Sequence, residues 1–549
     1  MDTINTRFQL LVHDNQATWH FADADQYHSP QDIDDRVEDY AQALRRQGLK
    51  AQDTVGLVLN NGLDMVSCLL ACWRLNLVAI PLRTKAGKYL NYAEFLQGCD
   101  RTCHFKLVLC DASISQQDIQ QWRAQTGLAI FPQAEFATPH TLPVITPATP
   151  RLEDMAIIQF SSGSTGFPKG VIVTHGMIIN QLKHIVAAHR ATIRHTACWT
   201  PMHHDMGLFT GVLLPVFAGN DHTVATPEFY MRNPARWFRM LADSGVDLTF
   251  STNSAMVAAL RTVKRLYSGE TVNLSRLHLY LSAEKVSPVV LARIHDRFGP
   301  LGLGPAQVHS AYGMAENSLG ASISGPGELQ TLCVQIDPQG KVHLAEAGSD
   351  TPTIELVSAG VANAHHRITI RDDQDQPLGE LELGEISLES DCLTPGYLNM
   401  PHATEARLQG ARLRTGDLGF LHQQQLYFYS RKDDLIIVGG RNIVPDDVEE
   451  TVEGLAFVRA SGSALLCIEN DNTGLMELHL VLEGDANVAQ AESLHRRETL
   501  MKVVLDHHDV VLNQCHFCAR GTIEKTSSGK KRRSVIRRRL LDRQIDLIA

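Results

Sequence analysis

Positive charge is in short supply in this sequence: 50 lysines and arginines face 61 acidic residues, a net charge of −11. That balance argues against general nucleic-acid binding. Long apolar runs are missing as well. A membrane helix needs roughly 18 apolar residues in a row, and the richest stretch, MVSCLLACWRLNLVAIPL, is broken by Arg74 and Asn76. The opening residues MDTINTRFQL lack the basic start and small-residue cleavage site of a secretory leader, so a cytoplasmic protein is expected. The 11 cysteines are odd in number and scattered over 549 residues, which fits reduced thiols and no disulfide framework. Cys515 and Cys518 form a CxxC with no second pair at zinc spacing, and buried or semi-buried thiols are expected there. The pairs His203-His204, His365-His366 and His507-His508 also lack metal-ligand spacing, and the first alone sits in a context that suggests chemistry. There is no tandem repeat and no low-complexity tract.

What is present is a globular composition, 44% hydrophobic and 20% charged, on a chain long enough for three or four structural units. Residues 31–48 show helical periodicity, with Ile33, Val37, Tyr40, Ala41 and Leu44 on one face. VGLVL (55–59), a helix to about residue 75, LVAIPL (77–82) and KLVLC (106–110) then alternate strand and helix, and the rhythm returns in VDLTF (246–250) and LHLYLSA (277–283). Such alternation predicts parallel sheets flanked by helices, an α/β class. After about residue 320, HRITIRD, LGELELGEISLES and LYFYSRKDDLIIV alternate apolar and polar residues, predicting a β-rich antiparallel part. Beyond about 433 the pattern reads strand, helix, strand, strand, helix, strand, a small α+β C-terminal lobe.

The stretch IIQFSSGSTGFPKGVIVTH (157–175) places Ser161, Ser162, Gly163, Ser164, Thr165, Gly166 and Lys169 just after a strand. It lacks the GxxxxGK[ST] pattern of kinases and ATPases, since Pro168 precedes the lysine and Gly170 follows it. Glycines that turn N–H groups outward, hydroxyl donors and one lysine still suit a phosphate. Taken alone, such a Ser/Gly-rich stretch is more often a flexible turn. The run KKRRSVIRRRLLDR (530–543) holds eight basic residues in fourteen and is either a solvated helix face or a docking surface for an acidic group.

Four more segments follow in order: SAYGMAENS (310–318), RTGDLGF (414–420), SRKDDLIIVGGRN (430–442) and EKTSSGKKRR (524–533). Together with the serine-rich loop they resemble the adenylate-forming enzymes: acyl-CoA synthetases, luciferases and peptide-synthetase adenylation domains. Within that superfamily TPMHHDMGLFTGVLLPVFAG and YGMAENSLGAS resemble fatty acyl-AMP ligases, with Ala315 before Glu316 where many relatives carry threonine. Residues 325–360 resemble the insertion that, in those ligases, restrains the C-terminal lobe and disfavours coenzyme A.

The resemblance implies a core over residues 1–430 (its β-rich subdomain about 321–430), a hinge at 431–433 centred on Asp433, and a mobile lid over 434–549. It implies ATP as substrate and Mg²⁺ as cofactor. Ser161 to Lys169 would cradle the leaving pyrophosphate, and Ala283 and Glu284 would line the adenine pocket. Tyr312, followed by Gly313 and Met314, would stack on adenine, and Asp417 would hold the ribose with Arg431 nearby. Glu316 would ligate Mg²⁺, His204 would sit near the substrate carboxylate, and Lys530 would stabilise the transition state at the α-phosphate. The segment FSTNSAMVAAL (250–260) suits an aliphatic chain, while Asp205 leaves an amino acid as the alternative substrate. No phosphopantetheine-type serine segment is evident, so the expected acceptor is a separate acyl carrier protein or coenzyme A. A catalytically dead, nucleotide-binding member is the reading from another class; the intact Glu316, Asp417 and Lys530 argue against it.

Overall fold

Strand–helix alternation in the first three hundred residues becomes two parallel sheets in the computed structural model. The structure describes residues 2–548 apart from 85–90, 138–142, 161–168, 189–192, 268–270, 326, 328, 338, 346–352, 439–440, 471–475, 485–489, 509 and 526–530. Among the described residues, one sheet has six strands in the order Ile130–Pro132, Leu107–Cys110, Thr54–Val58, Val78–Pro81, Met155–Phe160, Gly170–Thr174. The first five are parallel, and the last turns back antiparallel across the serine-rich loop. The second sheet has nine strands, and its middle runs parallel through Val308–Gly313, His278–Leu281, Leu248–Ser251, His195–Cys198, Asp221–Val224 and Trp19–Phe21.

Local chemistry sets these elements. Helix Pro30–Arg46 begins at Ser29, whose hydroxyl accepts from the Asp32 N–H while the Asp32 carboxylate accepts from the Ser29 N–H. Its predicted face, Ile33, Val37, Tyr40, Ala41 and Leu44, is fully buried. Those residues share one core with Leu63–Arg74 and His175–Ala188 (Leu69, Trp73, Ile178, Leu182) and with residues of both sheets, including Trp19, Phe21, Val55 and Leu57.

The region past residue 320 is β-rich, as the alternation requires. Strands His366–Arg371, Gly384–Ser390, Arg412–His422 and Gln425–Arg431 form an antiparallel sheet. Within the 325–360 stretch, Thr331–Ile336, Val342–Leu344 and Ile354–Val357 make a separate three-stranded sheet. Its Val334, Val342 and Leu356 pack with Phe420, Tyr427 and Tyr429, and the same cluster takes in Val444 from the chain beyond the turn at Asp433.

That final part differs from expectation at both ends. It opens with a hairpin, Ile436–Val438 and Arg441–Ile443, where a single strand was expected. It closes with an extra helix, Arg533–Leu541, and a two-residue strand, Leu547–Ile548. The closing helix is masked in sequence because its only buried residues are Ile536 and Arg539 amid a basic run.

The thiol expectation holds: all 11 cysteines are free, and Cys515 and Cys518 are buried. Both lie on strand Gln514–Cys518, three residues apart, so the pleat sends them to opposite faces and different cores. Among the described residues no helix is long and apolar enough to cross a membrane.

Candidate active site

Strand Val308–Gly313 ends at the mouth of a cavity of about 1540 Å³ between the large core and the C-terminal lobe. Lys169, Ala283, Glu284, Tyr312, Gly313, Met314, Glu316, Asp417, Arg431 and Asp433 all border it. These residues span more than 250 positions of sequence: Ala283, Glu284 and Tyr312 to Glu316 lie at the ends of parallel strands, while Asp417 and Arg431 come from the antiparallel sheet. Ser161 to Gly166 and Lys530 lie outside the described residues.

Three groups converge at one end. The Tyr312 hydroxyl donates to Asp417 Oδ2 at 2.8 Å, and Arg431 Nε lies 3.6 Å from Asp417 Oδ1. Asp417 and Arg431 are direct partners across the antiparallel strands Arg412–His422 and Gln425–Arg431, so register fixes the pair. Asp417 is only 6% exposed. Burial, and then the Asp417 charge, push the Tyr312 phenol well above its ordinary range, so Tyr312 stays a hydrogen-bond donor.

A second cluster forms around Glu316, on the short turn Ala315–Asn317. Its Oε1 accepts from the Tyr397 hydroxyl at 2.8 Å, and Lys169 Nζ sits 5.1 Å from the centre of the Tyr397 ring. Burial and the neighbouring Glu316 raise the Tyr397 pKa. Tyr397 is the member sequence reasoning missed. Pro395-Gly396 announces a turn, but nothing local says that the tyrosine reaches a carboxylate 81 positions away.

Glu284 has a structural bond that its motif did not reveal. Its carboxylate accepts from the Ser254 N–H at 2.7 Å and the Ser254 hydroxyl at 3.0 Å, capping helix Asn253–Thr262. Ala283 beside it adopts a left-handed backbone at φ 67°.

A second cavity, about 500 Å³, continues from the first and shares Ala283, Gly313, Met314, Glu316 and Arg431 with it. Its walls include Ile185, Trp199, Phe250, Met206 and Ile323, with His204 and Asp205 among its polar residues. His204 precedes helix Asp205–Leu208 and packs on His203, ring centres 4.6 Å apart. His203 is held neutral by burial and then by the nearby His204 and Arg83. The Asp205 carboxylate accepts from the Met206 N–H at 2.7 Å.

The C-terminal lobe reaches both cavities. Lys285 Nζ donates to Asp447 Oδ1 at 2.6 Å, and the Ser287 hydroxyl bonds Glu450, joining the core to helix Pro445–Glu453. Lys525 borders the smaller cavity. Lys531 is engaged by Glu449 at 2.6 Å and Glu453 at 2.9 Å. Arg533 pairs with Glu449 and Asp446, Arg532 pairs with Glu524, and Arg539 is buried. The basic run therefore presents only Arg537, Arg538 and Arg543 as exposed cations among its described residues.

Residues 11–398 match the family described as AMP-binding enzyme. Among curated proteins, a putative fatty-acid–CoA ligase, fadD25, from Mycobacterium tuberculosis is 31% identical over 408 residues, 69% of each chain. The long-chain-fatty-acid–AMP ligase FadD23 from the same species is 26% identical over 521 residues, 88% of this chain and 85% of that one. Among solved structures, a chain from a study of fatty acyl-adenylate ligases from E. coli and L. pneumophila superposes with a TM-score of 0.87. That alignment covers 99% of this chain and 98% of that one at 23% identity. The McyG adenylation–carrier structure with phenylalanyl-adenylate gives 0.86 at 22% identity, over 98% of this chain and 83% of that one. These likenesses fix the fold.

Proposed function

We propose a reaction for this chain from a plain premise: it belongs to the AMP-binding enzyme family. The reaction is ATP-dependent activation of a fatty acid to an acyl adenylate, followed by acyl transfer to the phosphopantetheine thiol of a separate acyl carrier protein. The observation that carries the reading is the continuity of the two cavities. The larger is bordered by Tyr312, Asp417, Arg431, Glu316 and Lys169, and opens into a smaller, largely apolar one beside His204.

A carboxylate is a poor electrophile, because oxide leaves badly and its charge repels nucleophiles. Attack by a carboxylate oxygen on the α-phosphorus forms an O–P bond, breaks the bond to the β-phosphate oxygen and releases pyrophosphate. AMP then becomes the leaving group for a thiol. In this assignment Tyr312 packs against adenine while its hydroxyl holds Asp417, and Asp417 accepts from the ribose hydroxyls. Ser161 to Thr165, Gly166 and Lys169 hold the β- and γ-phosphates, with Ala283, Gly313 and Met314 shaping the nucleotide wall. His204 stands at the carboxylate end of the apolar cavity.

Glu316 suits Mg²⁺: it is a hard oxygen donor at the cavity edge, held at Oε1 by Tyr397. Mg²⁺ bound there with ATP would neutralise charge on the phosphates. Lys530 is assigned to the α-phosphate, where removing such a charge costs about 10²–10³ in rate. Asp433 lies in the exposed turn between strands Gln425–Arg431 and Ile436–Val438, a position suited to a hinge for a lid over 434–549.

Apolar walls favour a fatty acid over an amino acid, and Asp205 already accepts a hydrogen bond from its own helix. The alternative acceptor is coenzyme A. The test supplies ATP, Mg²⁺ and a panel of carboxylic acids, then coenzyme A or a phosphopantetheinylated carrier. Carrier loading well above acyl-CoA formation is expected; equal rates with both thiols would overturn the carrier assignment. Failure to form any adenylate would overturn the activation itself.

A further inference from the structure

The basic run 530–543 ends as a helix with an outer face that no ion pair consumes. On Arg533–Leu541 the exposed positions Ser534, Arg537, Arg538 and Leu541 fall at i, i+3, i+4 and i+7 and form one stripe. Ile536 and Arg539 turn inward. Arg537 also borders the large cavity, and so does Arg293 on the core helix Pro288–Phe298. Both are exposed, and neither has an ion pair or hydrogen bond among the described residues. We propose, on the carrier reading above, that Arg293 and Arg537 form the docking rim for an acidic face of the phosphopantetheine-bearing carrier protein. One arginine comes from the core and the other from the lobe.

Charge at the cavity mouth supports that assignment. Five acids of helix Pro445–Glu453 border the same cavity, and each is already engaged. Asp447 pairs with Lys285 at 2.6 Å, and Glu450 accepts from the Ser287 hydroxyl. Glu449 and Glu453 share Lys531, and Asp446 pairs with Arg533. Those pairs leave Arg293 and Arg537 as unpaired positive charge on the walls formed by their two helices. The whole chain carries a net charge of −11. An acidic partner is therefore repelled over much of the surface and drawn to a local cationic rim.

Exposed apolar side chains accompany both arginines. Val289 lies one helical turn before Arg293 and is 49% exposed, and Leu541 lies one turn after Arg537 and is 55% exposed. Met476, 41% exposed, borders the cavity where strand Met476–Glu483 begins. Arginine flanked by apolar side chains on three elements suits a folded protein surface. Coenzyme A brings phosphates for the arginines but no face that would cover all three apolar groups. A carrier seated on the rim stands at the cavity mouth, through which its phosphopantetheine arm reaches the acyl adenylate.

The test follows three steps with the full chain: pyrophosphate release, acyl transfer to free pantetheine, and acyl transfer to a phosphopantetheinylated carrier protein of net negative charge. In Arg293→Glu combined with Arg537→Glu, KM for the carrier should rise about 10-fold or more, with pyrophosphate release and pantetheine transfer unchanged. Added salt should raise KM for the carrier far more in the wild type than in that variant. Arg46→Glu, on an exposed arginine of helix Pro30–Arg46 that borders neither cavity, should behave as wild type. An unchanged KM for the carrier in the double variant overturns the rim and leaves the carrier reading standing. A matching rise in KM for coenzyme A assigns the arginines to phosphate and overturns the rim as well. Adenylate formation without carrier loading by the wild type overturns the carrier reading itself, and the rim with it. Should the double reversal lower the thermal midpoint, Arg293→Gln with Arg537→Gln decides the matter through a smaller rise in the same KM.

Discussion

Asp417 accepts a hydrogen bond from the Tyr312 hydroxyl at 2.8 Å and faces the Arg431 guanidinium charge at 3.6 Å. Tyr312→Phe removes the first and leaves a buried carboxylate short of a partner, a loss of about 1–3 kcal/mol. If Asp417 grips ribose, KM for ATP should rise about tenfold, equivalent to about 1.4 kcal/mol, with KM for the acid unchanged. A steady-state titration of each substrate checks the split. At the same scale, Tyr397→Phe should weaken Mg²⁺ binding by releasing Glu316 from its tether, read as a higher Mg²⁺ concentration at half-maximal rate. Residue types were legible in sequence because five short motifs fell in order. Tyr397 and the Glu284–Ser254 bond were not, because each joins positions far apart and leaves no local periodicity.

Among the elements, strand Val308–Gly313 positions the most chemistry, and its last residue is the tightest. A Cβ on Gly313 would meet the Leu319 carbonyl oxygen at 1.7 Å, where the register with Gly320–Ile323 shifts. Gly313→Ala should destabilise the fold by about 1–3 kcal/mol and displace Tyr312, measured as a lower urea midpoint with raised KM for ATP. Helix Pro445–Glu453 is the element that joins the C-terminal lobe to the core through Lys285–Asp447 and Ser287–Glu450. Lys285→Glu sets like charges against each other there, so faster proteolysis near Asp433 is expected. Parallel strands were readable because buried runs of Val, Ile and Leu have few other uses. The closing helix Arg533–Leu541 was not: two buried residues in nine give no amphipathic stripe.

For the molecule as a whole, burial of neutral histidines ties stability to pH. Burial lowers His175 to about 4 and His222 to about 3, and depresses His203 as well. An unfolded histidine titrates near 6.5, so the unfolded chain binds more protons as pH drops. Stability is full above about 6.5 and is lost as pH falls toward 4. At pH 5, His175 and His222 should each cost roughly 2 kcal/mol, visible as a lower urea midpoint than at pH 7.5.

The same scale holds the largest claim, that two continuous cavities serve one reaction at the α-phosphorus. Heavy-oxygen label in the fatty carboxylate tests it most directly. With ATP and Mg²⁺, followed by transfer to a thiol, one labelled oxygen should appear in the AMP phosphate and none in pyrophosphate. Lys530→Ala should abolish that label transfer while still passing acyl groups from a supplied adenylate. Label in inorganic phosphate or pyrophosphate would place the attack elsewhere and contradict the account.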